Sequence, residues 1–186
     1  YATSSRGVVQ GIYPNGTAAW TSYLISDGLF INSPCMVGPD DTLYLPVSSL
    51  DLNTMWKNYS LPTEIMAIGP NGTIKMNSTL LSNFSEINGC ELGLTGVSSN
   101  GTIYCYNFNG YGLIFHEGIF LSQHQVPSRA FAISPQGDII WSYELPTDEV
   151  YYSPPMLTEA TLYLFTQNST GVGKIVALQA NDGILL

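Results

Sequence analysis

The chain has 186 residues, of which 45% are hydrophobic and only 10% are charged, with a formal net charge of −9. This is a globular composition, although soluble domains usually carry about 25% charged residues. Five Lys and Arg residues in all cannot form a basic surface, which excludes nucleic acid as a partner, and no apolar run reaches the roughly 18 residues of a membrane-spanning helix, so no membrane insertion is predicted.

The first predicted element is a β-hairpin at residues 8–20, and the same pattern returns three times along the chain. Each copy has an apolar run, a tight turn containing Asn-Gly, Gln-Gly or Asp-Gly, and a second apolar run. Asn-Gly and Asp-Gly between apolar strands are the strongest short-range hairpin signal, since both residues of the two-residue turn adopt positive φ. The later copies lie at 65–76, 130–141 and 175–185.

A hairpin of a second kind alternates with the first, at residues 31–49, 90–108 and 151–169. Each copy ends in Leu-Tyr or Ile-Tyr followed by further apolar residues, and the tyrosines are Tyr44, Tyr104 and Tyr163. The alternation of apolar and polar residues around each tyrosine is the period of a strand.

Two hairpins per repeat make four antiparallel strands, which is one blade of a β-propeller. The predicted fold class is therefore all-β: a single β-propeller, or part of one, over residues 1–186 with about three and a half blades. The approximate repeat units are 8–64, 65–129 and 130–186, with the extra length of each repeat in loops such as 50–64 and 109–129. Because one thin sheet cannot bury a tryptophan alone, Trp20 and Trp141 are predicted to lie between neighbouring sheets. Trp56, in the 50–64 loop, is predicted to be more exposed.

These motifs resemble the repeat of the pyrroloquinoline-quinone (PQQ) type propellers. The match is best over 130–186, with Ala132-Ile133-Ser134-Pro135-Gln136-Gly137, Trp141, Ser153-Pro154, Thr161-Leu162-Tyr163 and Ala177-Leu178. The middle copy departs from the pattern, because Met76 stands in place of the tryptophan. The family includes quinoprotein dehydrogenases and non-catalytic outer-membrane assembly lipoproteins, so the resemblance implies a fold and leaves the function open.

Acceptor motifs for N-linked glycans are far more frequent than chance predicts. Seven Asn-x-Ser/Thr sequons occur, where 13 Asn and 34 Ser or Thr residues in 186 would give about two by chance. Turn chemistry alone could explain the Asn-Gly-Thr copies but not the other four. The chain is therefore predicted to be a secreted or cell-surface glycoprotein, whose glycans supply the solubility that the missing charges do not. The sequons are at Asn15, Asn58, Asn71, Asn77, Asn83, Asn100 and Asn168.

The three cysteines, Cys35, Cys90 and Cys105, are an odd number, so at most one internal disulfide can form. Cys90 and Cys105 flank one predicted hairpin and are the candidate pair. A turn at Asn100-Gly101 sets Cys105 opposite Gly96, so the bridge requires a bulge or a looped-back strand end. No Cys-x-x-Cys motif or Cys/His cluster points to zinc.

No pattern of catalytic residues stands out. Asp40-Asp41 could bind calcium but fits an ordinary turn better, and His116 and His124 lack the spacing of a metal site on one strand or helix. Asp148-Glu149 is interpreted as a solvated loop tip. A quinoprotein site would need an aspartate base, a calcium cage and aromatic residues around the quinone, and none is recognisable here. We therefore predict no cofactor, no metal and no enzymatic activity.

The predicted function is a structural or interaction module, and two alternatives stay open: a fragment of a PQQ-dependent quinoprotein enzyme, and a carbohydrate-binding module that uses its many tyrosines and phenylalanines. The chain starts at Tyr1 without a leader and stops within a predicted blade. An incomplete propeller leaves strand edges bare. The expected partner is therefore protein, either a larger parent chain or copies of the chain itself, which would form a filament if the contact is head-to-tail.

Overall fold

The computed structural model describes residues 1–4, 7–24, 29–31, 34–49, 63–78, 92–107, 111–116, 119–125 and 127–186. These segments form β-strands joined by turns, and every sheet is antiparallel. The all-β prediction is confirmed for this part of the chain. No helix long and apolar enough to cross a membrane occurs in it.

The first two sheets are formed by residues 2–78. In the first sheet the order is β1-β2-β3, and in the second sheet β4 and β5 pair successive parts of β6, which continues to β7 and β8. The strands are β1 (Ala2–Thr3), β2 (Val8–Ile12), β3 (Ala18–Tyr23), β4 (Leu29–Ile31), β5 (Met36–Val37), β6 (Leu43–Ser49), β7 (Thr63–Ile68) and β8 (Ile74–Ser78).

The third and fourth sheets follow in chain order. The third has the order β9-β10-β13-β14, and the separate hairpin β11–β12 lies in the sequence between β10 and β13. The fourth has the order β15-β16-β17. The strands are β9 (Leu92–Val97), β10 (Ile103–Asn107), β11 (Tyr111–His116), β12 (Ile119–Gln125), β13 (Arg129–Ile133), β14 (Ile139–Glu144), β15 (Glu149–Leu157), β16 (Thr161–Asn168) and β17 (Gly173–Gln179).

The predicted repeat units are out of phase with the sheets. Each hairpin of the second kind pairs with the hairpin of the first kind that follows it, through β6–β7 and β10–β13. The predicted boundaries at 64/65 and 129/130 therefore fall inside the second and third sheets. The predicted 109–129 loop also differs, since residues 111–125 contain the β11–β12 hairpin. The 50–64 loop lies outside the described residues except for the start of β7.

Most of the described hairpin turns are one residue longer than the predicted two-residue turn. In the first turn the Gly16 N–H donates to the Tyr13 carbonyl at 2.8 Å, and the Tyr13 N–H donates to the Thr17 carbonyl at 2.9 Å. Only Gly16 has a positive φ, so this is a β-turn followed by a left-handed residue, not a two-residue Asn-Gly turn. The same pair of backbone bonds recurs in turns 38–42, 69–73, 98–102 and 134–138.

The four sheets stack in chain order, and each interface has its own apolar core. Val9 of the first sheet packs with Leu43 and Ile68 of the second. The other face of the second sheet, with Tyr44 and Ile65, packs against the third. The far side of the third sheet packs in turn against the fourth, where Leu162, Leu164 and Leu178 are buried. The second and third sheets thus each present one face to the sheet before and the other face to the sheet after.

The first and third sheets each have a tryptophan on an edge strand, and its indole N–H donates a hydrogen bond to the next sheet. Trp141 Nε1 donates to the Ala180 carbonyl at 2.9 Å, and Trp20 Nε1 donates to the Pro70 carbonyl at 2.7 Å. Trp141 is buried as predicted, whereas Trp20 is only half-buried. In the second sheet Met76 takes the matching register position, opposite Ala67. Trp56 lies outside the described residues.

Candidate functional site

Two exposed turns hold a sequon asparagine in the same geometry. Asn15 Oδ1 accepts hydrogen bonds from the Thr17 N–H at 3.0 Å and the Thr17 hydroxyl at 2.7 Å. Asn71 Oδ1 accepts from the Thr73 N–H at 3.2 Å and the Thr73 hydroxyl at 2.7 Å. Each sequon threonine therefore fixes its asparagine within an Asx turn.

The turn at Asp40 has the same geometry without a sequon. Its carboxylate accepts from the Thr42 N–H at 3.2 Å and the Thr42 hydroxyl at 2.7 Å. Lys75 Nζ lies 2.9 Å from the same carboxylate, and this hydrogen bond, together with those from Thr42, lowers the pKa of Asp40 to about 2. The Asx turn is therefore structural, whatever the asparagines carry, and the carboxylate that the sequence offers as a calcium ligand is paired with the Lys75 ammonium group.

Asn100 and Asn168 vary this arrangement. Asn100 Oδ1 accepts from the Ser98 hydroxyl at 2.6 Å and the Thr102 N–H at 3.1 Å, and Thr102 is buried. Asn168 Oδ1 accepts from the Thr170 hydroxyl at 2.8 Å and from two backbone N–H groups. Asn100 is exposed and Asn168 is half-buried.

We call the turns that carry Asn15, Asn71 and Asn100 the acceptor turns. Each is exposed, and in the described part of the chain their side-chain nitrogens donate no hydrogen bond. A cleft of about 450 Å³ is bordered by the turns of Asp40 and Asn100, so turns of the second and third sheets lie on one side of the molecule. The geometry leaves each amide nitrogen accessible for a glycosidic bond.

The remaining sequons are less fully described. Asn77 lies within β8 and pairs with Met66 in register, so it is on an edge strand rather than in a loop as expected. Asn58 and Asn83 lie outside the described residues. Glycosylation at all seven positions stays a prediction.

The cysteines offer no reactive centre among the described residues. Cys105 is a free, fully buried thiol, and burial raises its pKa. It pairs in register with Leu94 rather than with the predicted Gly96, because the turn is one residue longer than predicted and a bulge after Tyr104 shifts β9 by one more residue. Cys35 is a half-buried free thiol. Cys90 lies outside the described residues, but because Cys105 is a free thiol, the predicted bridge between them is not formed in this structure.

The histidines are set apart by the β11–β12 hairpin. His116 pairs in register with Ile119 beside the hairpin turn, whereas His124 pairs with Gly112 near the opposite end. At about 3.3 Å per residue along a strand, this separation does not favour a shared metal ion. Within the described segments, no three His, Cys, Asp or Glu side chains come together as metal ligands.

The prediction of a solvated Asp148-Glu149 tip is wrong for Glu149, which is buried. Its carboxylate accepts hydrogen bonds from Lys174 Nζ and from the Thr166 hydroxyl, the latter at 2.9 Å. The Lys174 bond is the main cause that lowers the pKa of Glu149. Sequence inspection missed this ion pair because its partners are 25 residues apart on different strands.

We expect acid to weaken the fold partly through Glu149. A carboxyl group whose pKa is lower in the folded state than in the unfolded state stabilises the fold. This stabilisation is complete when the pH is above the pKa of the unfolded state, and it is lost as the pH falls through the pKa of the folded state. As the pH falls below 4.5, the ordinary pKa of a glutamate, thermal unfolding of the wild type should show a loss of stability. The loss should be smaller in Glu149→Gln. Glu159→Gln, at an exposed turn carboxylate, is the control. Parallel pH curves for wild type and Glu149→Gln would contradict the assignment.

The outward side of the fourth sheet is an apolar surface that sequence reasoning missed. We call it the terminal face, formed by Tyr152, Tyr163, Phe165, Ile175 and Ala177. Its residues alternate with those that face the third sheet, such as Leu164 and Leu178. Tyr152 and Ile175 are 75% and 68% exposed. A shallow cavity of about 380 Å³ lies on this face between Tyr152, Phe165 and Ile175.

Comparison with known protein-family models gives no match, and no curated protein is significantly similar in sequence. The resemblance to the PQQ-type repeat therefore rests on the motifs themselves.

Proposed function

We propose that the chain is a non-enzymatic extracellular glycoprotein, secreted or at the cell surface. In this proposal its sheets are blades of a PQQ-like β-propeller, about three and a half in number. The module acts through its surfaces as a structural or interaction protein, not through a catalytic centre.

The serial stacking of the four sheets carries this proposal. Trp20 and Trp141 each donate to a backbone carbonyl at the corresponding turn of the next sheet. Blades that stack in this way bury one another's apolar faces, whereas a single sheet leaves both of its faces exposed to solvent. The terminal face continues the same series and leaves a surface available to a protein partner.

The use of the charged residues supports a non-enzymatic role. Asp40 is engaged by Lys75, and Glu149 by Lys174 and Thr166. Carboxylates paired in this way stabilise the fold, and the pairing lowers their pKa values. A carboxyl group that acts as a general acid needs the opposite, a pKa raised toward neutrality. Exposed acceptor turns support the glycoprotein part of the proposal.

Glycosylation is tested by expressing the chain in a eukaryotic secretory host and measuring its mass before and after endoglycosidase treatment. We expect a loss of several glycans. An unchanged mass would overturn the extracellular glycoprotein proposal.

The Asp40 turn supplies a matched control for each acceptor turn. Because Asp40 accepts the same bonds from Thr42, Asn71→Asp should lose one glycan and keep the turn. Asn71→Gln should lose the glycan and also about 1 kcal/mol of unfolding free energy, since the longer side chain breaks the Asx turn. Both variants are compared after deglycosylation, and equal stability would show that the turn bonds contribute nothing.

The non-enzymatic part is tested by incubating the chain with calcium and PQQ and recording its absorption. We expect no bound quinone spectrum. A bound spectrum would favour the quinoprotein alternative.

A further inference from the structure

A cleft between the third and fourth sheets opens beside the acceptor turn of Asn100. Its volume is about 400 Å³, which is within the range of small-molecule sites. A second cavity of about 670 Å³ shares Ser98, Ser99 and Glu159 with it, so the two adjoin along the seam between the sheets. We call them together the Asn100 cleft. Its lining also includes Ile140, Gln179 and Asn181.

The Asn100 cleft offers hydrogen-bonding groups that the fold does not use. The side chains of Glu159, Gln179 and Asn181 line it, and in the described part of the chain none of the three has a hydrogen-bond partner. Ile140, on the third sheet, is 49% exposed beside them. A carboxylate, two amides and an aliphatic side chain around a concave surface suit a ligand with hydroxyl and amide groups and a small apolar group.

N-acetylglucosamine, the sugar that is joined to asparagine in N-linked glycans, has this chemistry. Its amide N–H and hydroxyls donate to a carboxylate, its carbonyl accepts from a side-chain amide, and its methyl group packs on an aliphatic surface. It is neutral, so the net charge of −9 does not repel it. Because Asn100 borders the cleft, a glycan attached there has its first sugars at a high effective concentration in it.

The opposite side of the same turn suits a sugar less well. There the cleft of about 450 Å³ is bordered by Pro39, Asp40 and Pro135. Proline side chains have no hydrogen-bonding groups, and the Asp40 carboxylate already accepts hydrogen bonds from Lys75 and Thr42. The free polar groups therefore favour the side of the fourth sheet.

We propose that the first two N-acetylglucosamine residues of a glycan on Asn100 lie in the Asn100 cleft and contact both the third and the fourth sheet. This inference rests on the proposed glycoprotein function and gives one glycan its place on the fold. Asn15 is the matched contrast. A Cβ atom on Gly16 would meet no atom within 4 Å, whereas one on Gly101 would lie 2.9 Å from Pro135. The turn of Asn15 stands clear of its neighbours, so a glycan there extends into solvent.

The test is digestion of the folded glycoprotein, secreted by a eukaryotic host, with an endoglycosidase that cuts between the first two sugars. Mass spectrometry of glycopeptides gives the occupancy and the cleavage rate at each sequon. We expect Asn100 to be occupied and its glycan to be cleaved at least about 10-fold more slowly than that of Asn15, since two hydrogen bonds of ordinary strength keep the linkage covered. After denaturation the two rates should be equal.

A double variant removes the partners of the sugar. Glu159→Ala combined with Asn181→Ala should raise the cleavage rate at Asn100 to that at Asn15. Both side chains are exposed, so circular dichroism should show the variant folded. Gln136→Ala is the control, because Gln136 is an exposed turn residue of the third sheet outside the lining of the cleft. It should keep the protection.

Four results would each overturn the place of this glycan: an unoccupied Asn100, equal rates at Asn100 and Asn15 in the folded protein, protection that survives the double substitution, or protection lost in Gln136→Ala. If one of these is found while other sequons carry glycans, the proposed glycoprotein function stands. A secreted chain without glycan at any sequon would overturn both proposals, so the two failures are distinguishable.

Discussion

Replacing Trp141 with alanine should lower the free energy of unfolding by about 3–5 kcal/mol. Its ring is 8% exposed, packs in the core between the third and fourth sheets, and lies 6.1 Å from the ring of Tyr104. Truncation leaves a cavity there and also leaves the Ala180 carbonyl without its indole donor. Urea unfolding followed by far-UV circular dichroism measures the loss.

Two further variants separate packing from hydrogen bonding at this position. Trp141→Phe keeps most of the apolar contact and should lose about 1 kcal/mol for the missing N–H donor. Trp20→Ala should cost less than Trp141→Ala, because Trp20 is only half-buried. A loss below about 1 kcal/mol for Trp141→Ala would contradict the assigned stacking of the third sheet on the fourth.

Substituting Gly183 with alanine should destabilise the protein by about 2–5 kcal/mol, the sum of two effects. Gly183 has a φ of 73°, where a Cβ atom costs roughly 1–2 kcal/mol. That Cβ would also lie 2.8 Å from ring atoms of Trp141, so the ring would have to move, at about 1–3 kcal/mol. The measurement is again the free energy of unfolding in urea.

Gly16→Ala isolates the backbone part of this effect. Gly16 has a φ of 85° in a comparable turn, but no atom lies within 4 Å of its would-be Cβ. The Gly16→Ala variant should therefore lose only the part of the unfolding free energy that comes from the positive φ of the backbone. In a Trp141→Ala background, the excess cost of Gly183→Ala over Gly16→Ala should disappear. Equal losses for the two glycine variants in the wild-type background would show that the ring does not constrain this turn.

Local sequence patterns predicted the hairpins well, because a turn and its flanking strands are close in the chain. The Leu-Tyr and Ile-Tyr motifs lie on β6, β10 and β16 at matching register positions. The exact turn was predicted less well. Asn-Gly suggested a two-residue turn, but a proline or serine before the asparagine fits a β-turn with a following left-handed residue. Asp41, with a φ of 58°, takes that left-handed position without being glycine.

The candidate site was only partly predictable. Sequons are defined by three adjacent residues, so Asn15, Asn71 and Asn100 could be named directly. That Asp40 forms the same Asx turn required the hydrogen bonds themselves. Glu149 was misjudged because its burial depends on Lys174 and Thr166, which lie on other strands.

The sequence by itself determined the all-β class and the two alternating hairpins, since both depend on periodicity and turn chemistry within about twenty residues. Tertiary structure alone decided which hairpins share a sheet and which sheet faces carry the cores. It also decided that Ile175 is exposed whereas Ile65 is buried. The physical reason is that burial depends on what lies across an interface: the same apolar pattern is core beneath a following sheet and surface where no described sheet covers it.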